Sequence, residues 1–317
     1  MKYYIGVDLG GTNIVTGVVD ENYNIIAKYA QPTDAHRSFE EVCASIAETV
    51  YEAAKKANIE MKDVAAVGMG SPGCVNRKTN LLVFSNNLNW KNVPLQAELE
   101  KHIDVPIYID NDANCAALGE VLAGVARNYE DACMITLGTG VGGGIIIGKK
   151  IFKGSDYLGA EVGHAILLYD GEICTCGLKG CFEAYASATA LIKQIKKAAS
   201  EHPTSLLNKL CDGDLSKVEA KTAFDAMEQG DEVAAKVVDQ YISYVATGVG
   251  SMMTTFRPEV FIIGGGVSNA GDKLMKPLIE KTSSLTFTRD QVENPPIVLA
   301  ELGNDAGIIG AAMLGAK

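Results

Sequence analysis

Three cysteines and one histidine are spaced along the chain as the ligands of a metal ion would be. Cys174, Cys176 and Cys181 lie within eight residues of one another, and His164 lies ten residues before the first of them. Three thiolates and one imidazole form a complete tetrahedral set for zinc. Because four protein ligands leave no open position, we expect a structural zinc ion that fixes a loop. The alternative is a loop of reduced thiols without metal.

Two acidic residues flank these candidate zinc ligands. Glu161 precedes His164 by three residues, and Glu183 follows Cys181 by two. A zinc-bound imidazole offers its second N–H to an outer acceptor, and a sugar hydroxyl could be that acceptor. We therefore expect the zinc loop to arrange Glu161, His164 and Glu183 around a polar ligand.

Glycine-rich loops are the second feature that could do chemistry. The chain has 33 glycines among 317 residues, and loops at residues 10–11, 138–144 and 264–266 collect many of them. Backbone N–H groups in such loops can surround a polyphosphate, and the hydroxyls of Thr12 and Thr139 would add donors. The alternative is that these loops are simply tight hairpin turns.

Two known nucleotide motifs do not account for the glycine loops. Gly138, Gly140 and Gly143 match the pattern G-x-G-x-x-G. That dinucleotide motif requires a helix directly after it, whereas the residues that follow here predict a strand. The P-loop pattern does not occur in the chain. A hairpin that holds phosphate on its backbone amides is the remaining interpretation.

Two aspartates stand at predicted strand ends. Asp8 directly precedes the first glycine loop, where a carboxylate can hold Mg²⁺ through water. Asp112 lies between a strand and a helix, so it could act as a general base or as the helix N-cap. The helix dipole would favour its ionised form. Glu161 paired with Asp112 would suit a glycosidase, but that interpretation leaves the glycine loops unexplained.

The hydrophobic pattern predicts an α/β protein. Strands are predicted at residues 3–9, 14–20, 64–69, 106–110, 132–137, 145–147 and 260–263, and helices at residues 38–58, from 112, at 232–255 and from 305. Ser38 and Glu41 form a capping box for the first helix. Strand, glycine loop and strand occur twice, beginning near Gly10 and Gly138, which indicates a weak internal duplication into two lobes.

Composition excludes several classes of protein. The formal charge is 28 − 39 = −11 and no run of Lys and Arg forms a stripe, so nucleic acid is disfavoured as a partner. No segment resembles a signal peptide or a membrane span. We expect a cytoplasmic protein whose eight cysteines are reduced, with no membrane partner.

These motifs together resemble the ROK family (repressors, uncharacterised frames, sugar kinases) of the actin-like ATPase superfamily. The resemblance runs in order through almost the whole chain. It rests on residues 8–13 (DLGGTN), 71–73 (SPG), 87–90 (NLNW), 110–114 (DNDAN), 137–144 (LGTGVGGG), 161–164 (EVGH), 174–183 (CTCGLKGCFE) and 264–266 (GGG). The stretch at 87–90 and the closing GNDAG at 303–307 are most similar to the glucokinases of this family.

The resemblance implies a two-lobed actin-like (ribonuclease H-like) α/β fold with nucleotide and sugar in the cleft between the lobes. We expect residues 1–116 with about 303–317 to form the smaller lobe, and residues 117–302, with the zinc loop, the larger one. The implied reaction is phosphorylation of glucose at its 6-hydroxyl by ATP, with Mg²⁺ and a structural Zn²⁺, early in carbohydrate metabolism and glycolysis. The family also implies a homodimer or a homotetramer.

Site residues carry over from the family by motif. Asp112 is then the general base. The remaining matches are Gly73, Asn87, Asn111, Asp112, Glu161, His164 and Glu183 for the sugar, Asp8, Gly10, Gly11, Thr12, Asn13, Thr139 and Gly140 for Mg²⁺ and the phosphates, Gly265 for adenosine, and His164, Cys174, Cys176 and Cys181 for zinc.

Two alternatives to a glucokinase stay open at this point. Asn89 stands where many family glucokinases have glycine, which bears on substrate preference. Fructose, mannose, N-acetylglucosamine and N-acetylmannosamine stay possible acceptors, because Asn, Glu and His hydrogen bonders suit many hexoses. The family also includes sugar-sensing repressors, which carry a helix-turn-helix segment before the first glycine loop. The seven residues before Asp8 are too few for that segment. We therefore expect a kinase, and the alternative of a different class is a sugar-sensing regulator without a DNA-binding domain.

Overall fold

A computed structural model describes residues 2–76, 78–85, 87–289 and 291–316, and the backbone alone of Cys74. Strands and helices are numbered in chain order. The strands are β1 Tyr3–Leu9, β2 Asn13–Val19, β3 Ile25–Pro32, β4 Val64–Ser71, β5 Cys74–Asn76, β6 Leu81–Ser85, β7 Trp90–Val93, β8 Ile107–Asn111, β9 Ala132–Leu137, β10 Val141–Ile147, β11 Lys150–Ile151, β12 Val260–Gly264 and β13 Ile297–Leu299. The α-helices are α1 Phe39–Lys56, α2 Leu95–Leu99, α3 Asp112–Leu122, α4 Glu183–Ala186, α5 Ala188–Glu201, α6 Leu206–Lys209, α7 Lys221–Glu228, α8 Glu232–Phe256, α9 Asp272–Ser283 and α10 Asp305–Met313.

The chain divides into two compact units. The first contains residues 1–132, 144–160 and 300–317, and the second contains residues 133–143 and 161–299. The boundary that the sequence suggests between residues 116 and 117 falls inside α3, and the extents of the two lobes stay a prediction.

A five-stranded sheet organises the first unit, in the strand order β3-β2-β1-β4-β8. β1 and β2 form the predicted hairpin, with Asp8 opposite Val15. β4 joins β1 in parallel and β8 joins β4 in parallel, so Asp8, Gly70 and Asp110 stand at one level of three neighbouring strands. The carboxyl ends of these strands therefore meet at one edge, which is where α/β sheets place ligands.

Helix α1 covers one face of this sheet. It begins after Ser38 with both hydrogen bonds of the predicted capping box, since the Glu41 N–H donates to the Ser38 side chain and the Ser38 N–H donates to the Glu41 carboxylate. Val42, Ile46 and Val50 are buried in the core that the helix shares with β1 and β2. The helix prediction is confirmed, and it ends at Lys56 rather than residue 58.

Helix α10 packs on the same sheet through glycines. A Cβ on Gly6 of β1 or Gly68 of β4 would overlap a carbonyl oxygen of α10, and a Cβ on Gly310 would overlap the carbonyl oxygen of Cys115 in α3. Glycine is therefore required for this close backbone approach. The contact holds α3, which begins at Asp112, beside the sheet edge.

A second five-stranded sheet has the order β11-β10-β9-β12-β13. Its order matches that of the first sheet, strand for strand, with an antiparallel pair at one end and a parallel pair at the other. This agreement supports the internal duplication inferred from the two glycine loops. The second glycine loop is shorter than its sequence suggests, because Val141 and the three glycines after it lie within β10.

The remaining small sheet has the antiparallel order β5-β6-β7, and the hydrophobic pattern did not predict it. In the part of the chain that the structure describes, no helix is long and apolar enough to cross a bilayer.

Candidate functional site

The first glycine loop is a short turn between β1 and β2 that is fastened from behind. The Gly10 N–H donates to the Asn13 carbonyl at 2.9 Å, which closes the turn. Thr33 binds two carbonyl oxygens of the turn. Its hydroxyl donates to the carbonyl oxygen of Gly10, and its N–H donates to that of Thr12. These bonds fix the loop through the Gly10 N–H and through carbonyl oxygens. The N–H groups of Gly11 and Thr12 take no part in the bond that closes the turn.

A cavity of about 740 Å³ lies in the first unit beside this loop. Five residues assigned from the sequence to phosphate or Mg²⁺ line it together, namely Asp8, Gly10, Gly11, Thr12 and Asn13. The volume falls in the range of small-molecule sites. The structure therefore brings this group of predicted residues to one place.

Asp8 is a half-buried carboxylate at the edge of this cavity. Burial and, to a smaller extent, the negative charge of Asp112 together raise the pKa of Asp8 to about 6. Carboxylate oxygen is a ligand that Mg²⁺ prefers, and a divalent cation would offset the repulsion between the two carboxylates. Asp8 therefore fits the predicted role of a Mg²⁺ holder.

Asp112 is the first residue of α3, and it is not the helix cap. The N-cap is Asn111, whose side-chain oxygen accepts from the N–H groups of Ala113 and Asn114 at 2.9 and 3.2 Å. The capping alternative for Asp112 is therefore wrong. Its carboxylate accepts the Ala113 N–H at 2.8 Å.

The electrostatic setting of Asp112 differs from the expectation based on the helix dipole. Burial raises the pKa of Asp112, and this outweighs the lowering effect of the Ala113 N–H. A carboxylate with a raised pKa is a stronger base, and general bases work best when their pKa approaches the working pH. The setting supports proton abstraction better than the sequence alone suggested.

Three candidate sugar contacts lie in the first unit, two at this turn and one against the first glycine loop. The Asn111 side-chain N–H donates to the Gly73 carbonyl at 3.2 Å. Gly73 has φ of 96°, and a Cβ there would overlap the Phe84 carbonyl oxygen, so only glycine suits the position. Asn87 is exposed and lies against Gly11, where an added Cβ would approach the Asn87 Cβ to 3.2 Å.

The second glycine loop is held in the same manner within the second unit. The Gly138 N–H donates to the Gly140 carbonyl at 3.0 Å. The start of α5 binds two carbonyl oxygens of this loop. The Ala188 N–H donates to the carbonyl oxygen of Gly138, and the Thr189 hydroxyl donates to that of Thr139. Thr139 and Gly140, the predicted phosphate contacts, form the tip of this turn.

Gly265 follows β12 and contacts the end of β9. Its φ is 83°, and a Cβ there would overlap the backbone of Leu137. The glycine is thus required by the fold of the second unit, whatever its contact with adenosine.

The four predicted zinc ligands converge. Their ligand atoms lie within 4.8 Å of one another, with 3.7 Å between Cys174 Sγ and His164 Nδ1 and 3.6 Å between Cys176 Sγ and Cys181 Sγ. Tetrahedral bonds of about 2.3 Å to sulfur place two sulfurs roughly 3.8 Å apart. The residues therefore fit a tetrahedral zinc ion.

Local backbone chemistry explains why the cysteine loop has this shape. Gly177 and Gly180 have φ of 89° and 83°, and a Cβ on Gly180 would overlap the Leu168 carbonyl oxygen. Between Cys181 and Glu183, the buried ring of Phe182 packs against Gly248 of α8, where a Cβ would collide with it. The loop is thereby anchored to a long helix of the second unit.

Glu183 links the cysteine loop to the second glycine loop. One carboxylate oxygen accepts the Val141 N–H at 3.0 Å, and the other accepts the Thr175 hydroxyl at 2.9 Å and lies 3.4 Å from Cys174 Sγ. Glu161 is exposed at the start of the short helical turn Val162–His164. Glu183, a predicted sugar contact of the second unit, therefore already accepts a hydrogen bond on each of its carboxylate oxygens.

Sequence reasoning missed several residues that position the site. Thr33 and Thr189 fasten the two glycine loops, and Asp110 and Asn114 bind each other beside Asp112 at 2.9 Å. Asp110 and Asn114 lie inside the matched DNDAN motif, which could have identified them. Lys153, which binds Asp110, carries no sequence signal.

Comparison with known proteins gives one consistent result. The sequence model of the ROK family matches residues 4–317. The glucokinase of Thermotoga maritima is 39% identical over 311 residues, covering 98% of this chain and 96% of that protein. The glucokinase of Streptomyces coelicolor is 37% identical over 316 residues, covering 99% and 98%.

A solved structure agrees with these sequence matches. The crystal structure of a ROK family glucokinase from Streptomyces griseus, in complex with glucose and AMPPNP, matches with a TM-score of 0.83 and 36% identity over 98% of each chain.

The zinc interpretation predicts one zinc ion per chain by metal analysis of the purified protein. Cys176→Ser should lose the zinc and lower the melting temperature, because structural zinc contributes directly to folding. Cys211→Ser is the matched control, since this buried thiol lies outside the cluster and donates to a helix carbonyl, as serine can. A metal-free wild-type protein of full stability would contradict the assignment.

The raised pKa of Asp8 predicts a pH-dependent cost to folding. Its folded pKa of about 6 exceeds the ordinary 3.8, so the stabilisation from its bound proton is complete below about pH 4 and is lost as the pH rises through 6. Without added Mg²⁺ or nucleotide, Asp8→Asn should be more stable than wild type at pH 7.5, by at most about 3 kcal/mol, and less so at pH 5.

Urea unfolding at both pH values measures this difference. Asp104→Asn, at an exposed position, is the control and should match wild type. A variant Asp8→Asn that is no more stable than wild type at pH 7.5 would refute the proposed burial cost.

Proposed function

The chain belongs to the ROK family, and on that premise we propose that it phosphorylates glucose at the 6-hydroxyl with ATP, with Asp112 as general base. The actin-like α/β fold class expected from the sequence is confirmed by the match to a family glucokinase. One observation carries the reaction type: Asp8, which lines the cavity of the phosphate hairpin, is paired with Gly70 of β4, and a Cβ on Gly70 would lie 3.3 Å from the Cα of Asp112. A base and a phosphate site are thus close enough to serve one transfer.

Asp112 accepts the proton of the 6-hydroxyl in this proposal, as the hydroxyl oxygen attacks the γ-phosphorus of ATP. The Ala113 N–H bond and the cap at Asn111 hold the carboxylate at the start of α3. Orientation of the acceptor hydroxyl by an aspartate is the usual protein contribution on the nucleophile side of phosphoryl transfer. Glucose 6-phosphate and ADP are the products.

The phosphates of ATP would be held mainly by backbone amides. Gly10, Gly11, Thr12 and Asn13 supply the first hairpin, and Thr139 and Gly140 supply the second. When bound near Asp8, Mg²⁺ supplies neutralisation of phosphate charge. The net charge of the chain is −11, and the basic side chains that line the cavity are Lys28, which pairs with Asp305, and Lys56. Gly265 is the proposed adenosine contact.

Hydrogen-bonding side chains would select the sugar. Asn87, Asn111, Glu161, His164 and Glu183, with the backbone at Gly73, are the proposed contacts. The zinc would supply a fixed orientation of the His164 ring, whose Nδ1 faces Cys174 and whose Nε2 is left to face a ligand.

The setting of the enzyme is also a proposal. We propose a cytoplasmic location, where ATP and reduced thiols are available, and a homodimer or a homotetramer as the assembly. Family resemblance supports the assembly, and light scattering of the purified protein measures it.

Asp112→Asn should lower kcat at least about a hundredfold, because general bases contribute roughly 10²- to 10⁴-fold. Glucose binding should stay within about tenfold, or 1.4 kcal/mol, since the amide oxygen can still accept the Ala113 N–H. A coupled ADP-release assay and calorimetric titration of glucose measure the two quantities. Asp104→Asn should leave both unchanged, and near-normal turnover in Asp112→Asn would remove the base assignment.

A hexose panel tests the substrate. Glucose should give the highest kcat/KM among glucose, mannose, fructose, N-acetylglucosamine and N-acetylmannosamine. Amide, carboxylate and imidazole contacts suit many sugars, so the ranking separates the members of this class. Preference for an N-acetylated sugar would overturn the proposed substrate, and glucose binding without any ADP release would favour a sugar-sensing regulator.

A further inference from the structure

Asp110 is a buried carboxylate next to the proposed base turn. Its side chain is 4% exposed, and a buried charge must be compensated by donors. Three donors meet it: the Lys153 ammonium on one oxygen at 2.7 Å, and the Asn111 N–H and Asn114 side-chain N–H on the other at 2.8 and 2.9 Å. Among these donors, Lys153 alone is charged.

Lys153 is held in place by its own loop. Its ammonium lies 4.0 Å from the centroid of the Tyr157 ring, a cation–π contact. The Gly159 N–H donates to the Lys153 carbonyl at 3.0 Å, which closes the loop and returns Tyr157 over the ammonium. The side chain is 22% exposed, so the pair with Asp110 is largely shielded from water.

The two remaining bonds of Asp110 reach the residues on either side of Asp112. The Asn111 N–H belongs to the peptide that leads into the base, and Asn114 lies in the first turn of the helix that the base begins. Asn111 also caps that helix through its side chain. Asp110 therefore fixes the backbone before Asp112 and the helical turn after it.

We propose that Lys153 is a positioning residue of the phosphoryl transfer: it neutralises and orients Asp110, and Asp110 orients the turn that presents Asp112 to the sugar hydroxyl. This inference rests on the proposed function, because it assigns Lys153 a role in proton abstraction by Asp112.

Loss of the ammonium would leave Asp110 as a buried charge with two neutral donors. A buried charge that has lost its charged partner is destabilised and admits water, which weakens the bonds to Asn111 and Asn114. The base would then be displaced from the hydroxyl, and a small misplacement of a reacting group can cost about a hundredfold in rate. The effect belongs to the chemical step, so the KM for ATP should be spared.

The surrounding charges favour the same role. Burial raises the pKa of the Cys115 thiol, and the carboxylates of Asp110, Asp112 and Asp8 raise it further, whereas Lys153 lowers it. The three carboxylates and the Lys153 ammonium thus have opposite effects on the pKa of one buried thiol.

The experiment compares Lys153→Met with Lys153→Arg in the coupled assay. Lys153→Met keeps the length of the chain without its charge, and kcat should fall about tenfold to a hundredfold while the KM for ATP changes less than about threefold. Lys153→Arg, which can still donate to Asp110, should stay within about threefold of wild-type kcat. Lys217→Met is the matched control, because it breaks an exposed pair with Asp212 of 3.0 Å.

A double variant keeps the test valid if Lys153→Met folds poorly. Lys153→Met/Asp110→Asn removes both charges, so no unpaired buried charge is left, and it should keep the wild-type melting temperature within a few degrees while its kcat stays low. The fall in kcat of the double variant should not exceed that of the more impaired single variant, Lys153→Met or Asp110→Asn, because both residues act through one contact. Wild-type kcat in either folded Lys153→Met variant would overturn the proposal, as would an equal loss in Lys153→Arg.

The parallel Asp112→Asn measurement separates this inference from the proposed function. Loss of turnover in Asp112→Asn with Lys153→Met within twofold of wild type would overturn only the role of Lys153. Full turnover in Asp112→Asn would overturn the base assignment and the role of Lys153 together.

Discussion

The burial of carboxylates at one sheet edge is the constraint on which the first unit depends. Asp8 and Asp110 stand at the same level of the sheet with only Gly70 between them, and Asp112 follows two residues later. Each carboxylate is accommodated differently: Asp8 by a raised pKa, Asp110 by an ammonium and two N–H donors, and Asp112 by a raised pKa with one backbone N–H. Asp110 is the one with a charged partner, the Lys153 ammonium, and Asp8 is the one that lines the cavity, where it can bind a cation.

In the second unit, the feature that must be held in place is the glycine loop. Its glycine loop has few side chains to fix it, so fixation comes from the start of α5 on one side and from Glu183 on the other. Glu183 in turn lies against the cysteine loop through Thr175. The proposed structural zinc therefore stabilises more than its own loop, since the phosphate hairpin is one hydrogen-bonded residue away.

The features that could be predicted from the sequence are those with a local cause. The capping box of α1, the β1–β2 hairpin and the zinc ligands each lie within a short stretch, and each is confirmed or fits. The length predicted for the second glycine loop was wrong, because the sequence alone does not distinguish glycines in a strand from glycines in a turn. Asn111 rather than Asp112 caps α3, since both residue types cap well and the choice depends on backbone geometry. Lys153 lies 43 residues from Asp110, and only the folded chain brings them together.

The packing of α10 has a consequence for how the protein is made. Helix α10, which covers the sheet of the β1–β2 hairpin through Gly6 and Gly68, is synthesised about three hundred residues after that hairpin. Until α10 is synthesised, this face of the sheet lacks its partner. We expect the nascent β1–β2 hairpin to depend on chaperones until α10 is made, although its two strands pair locally.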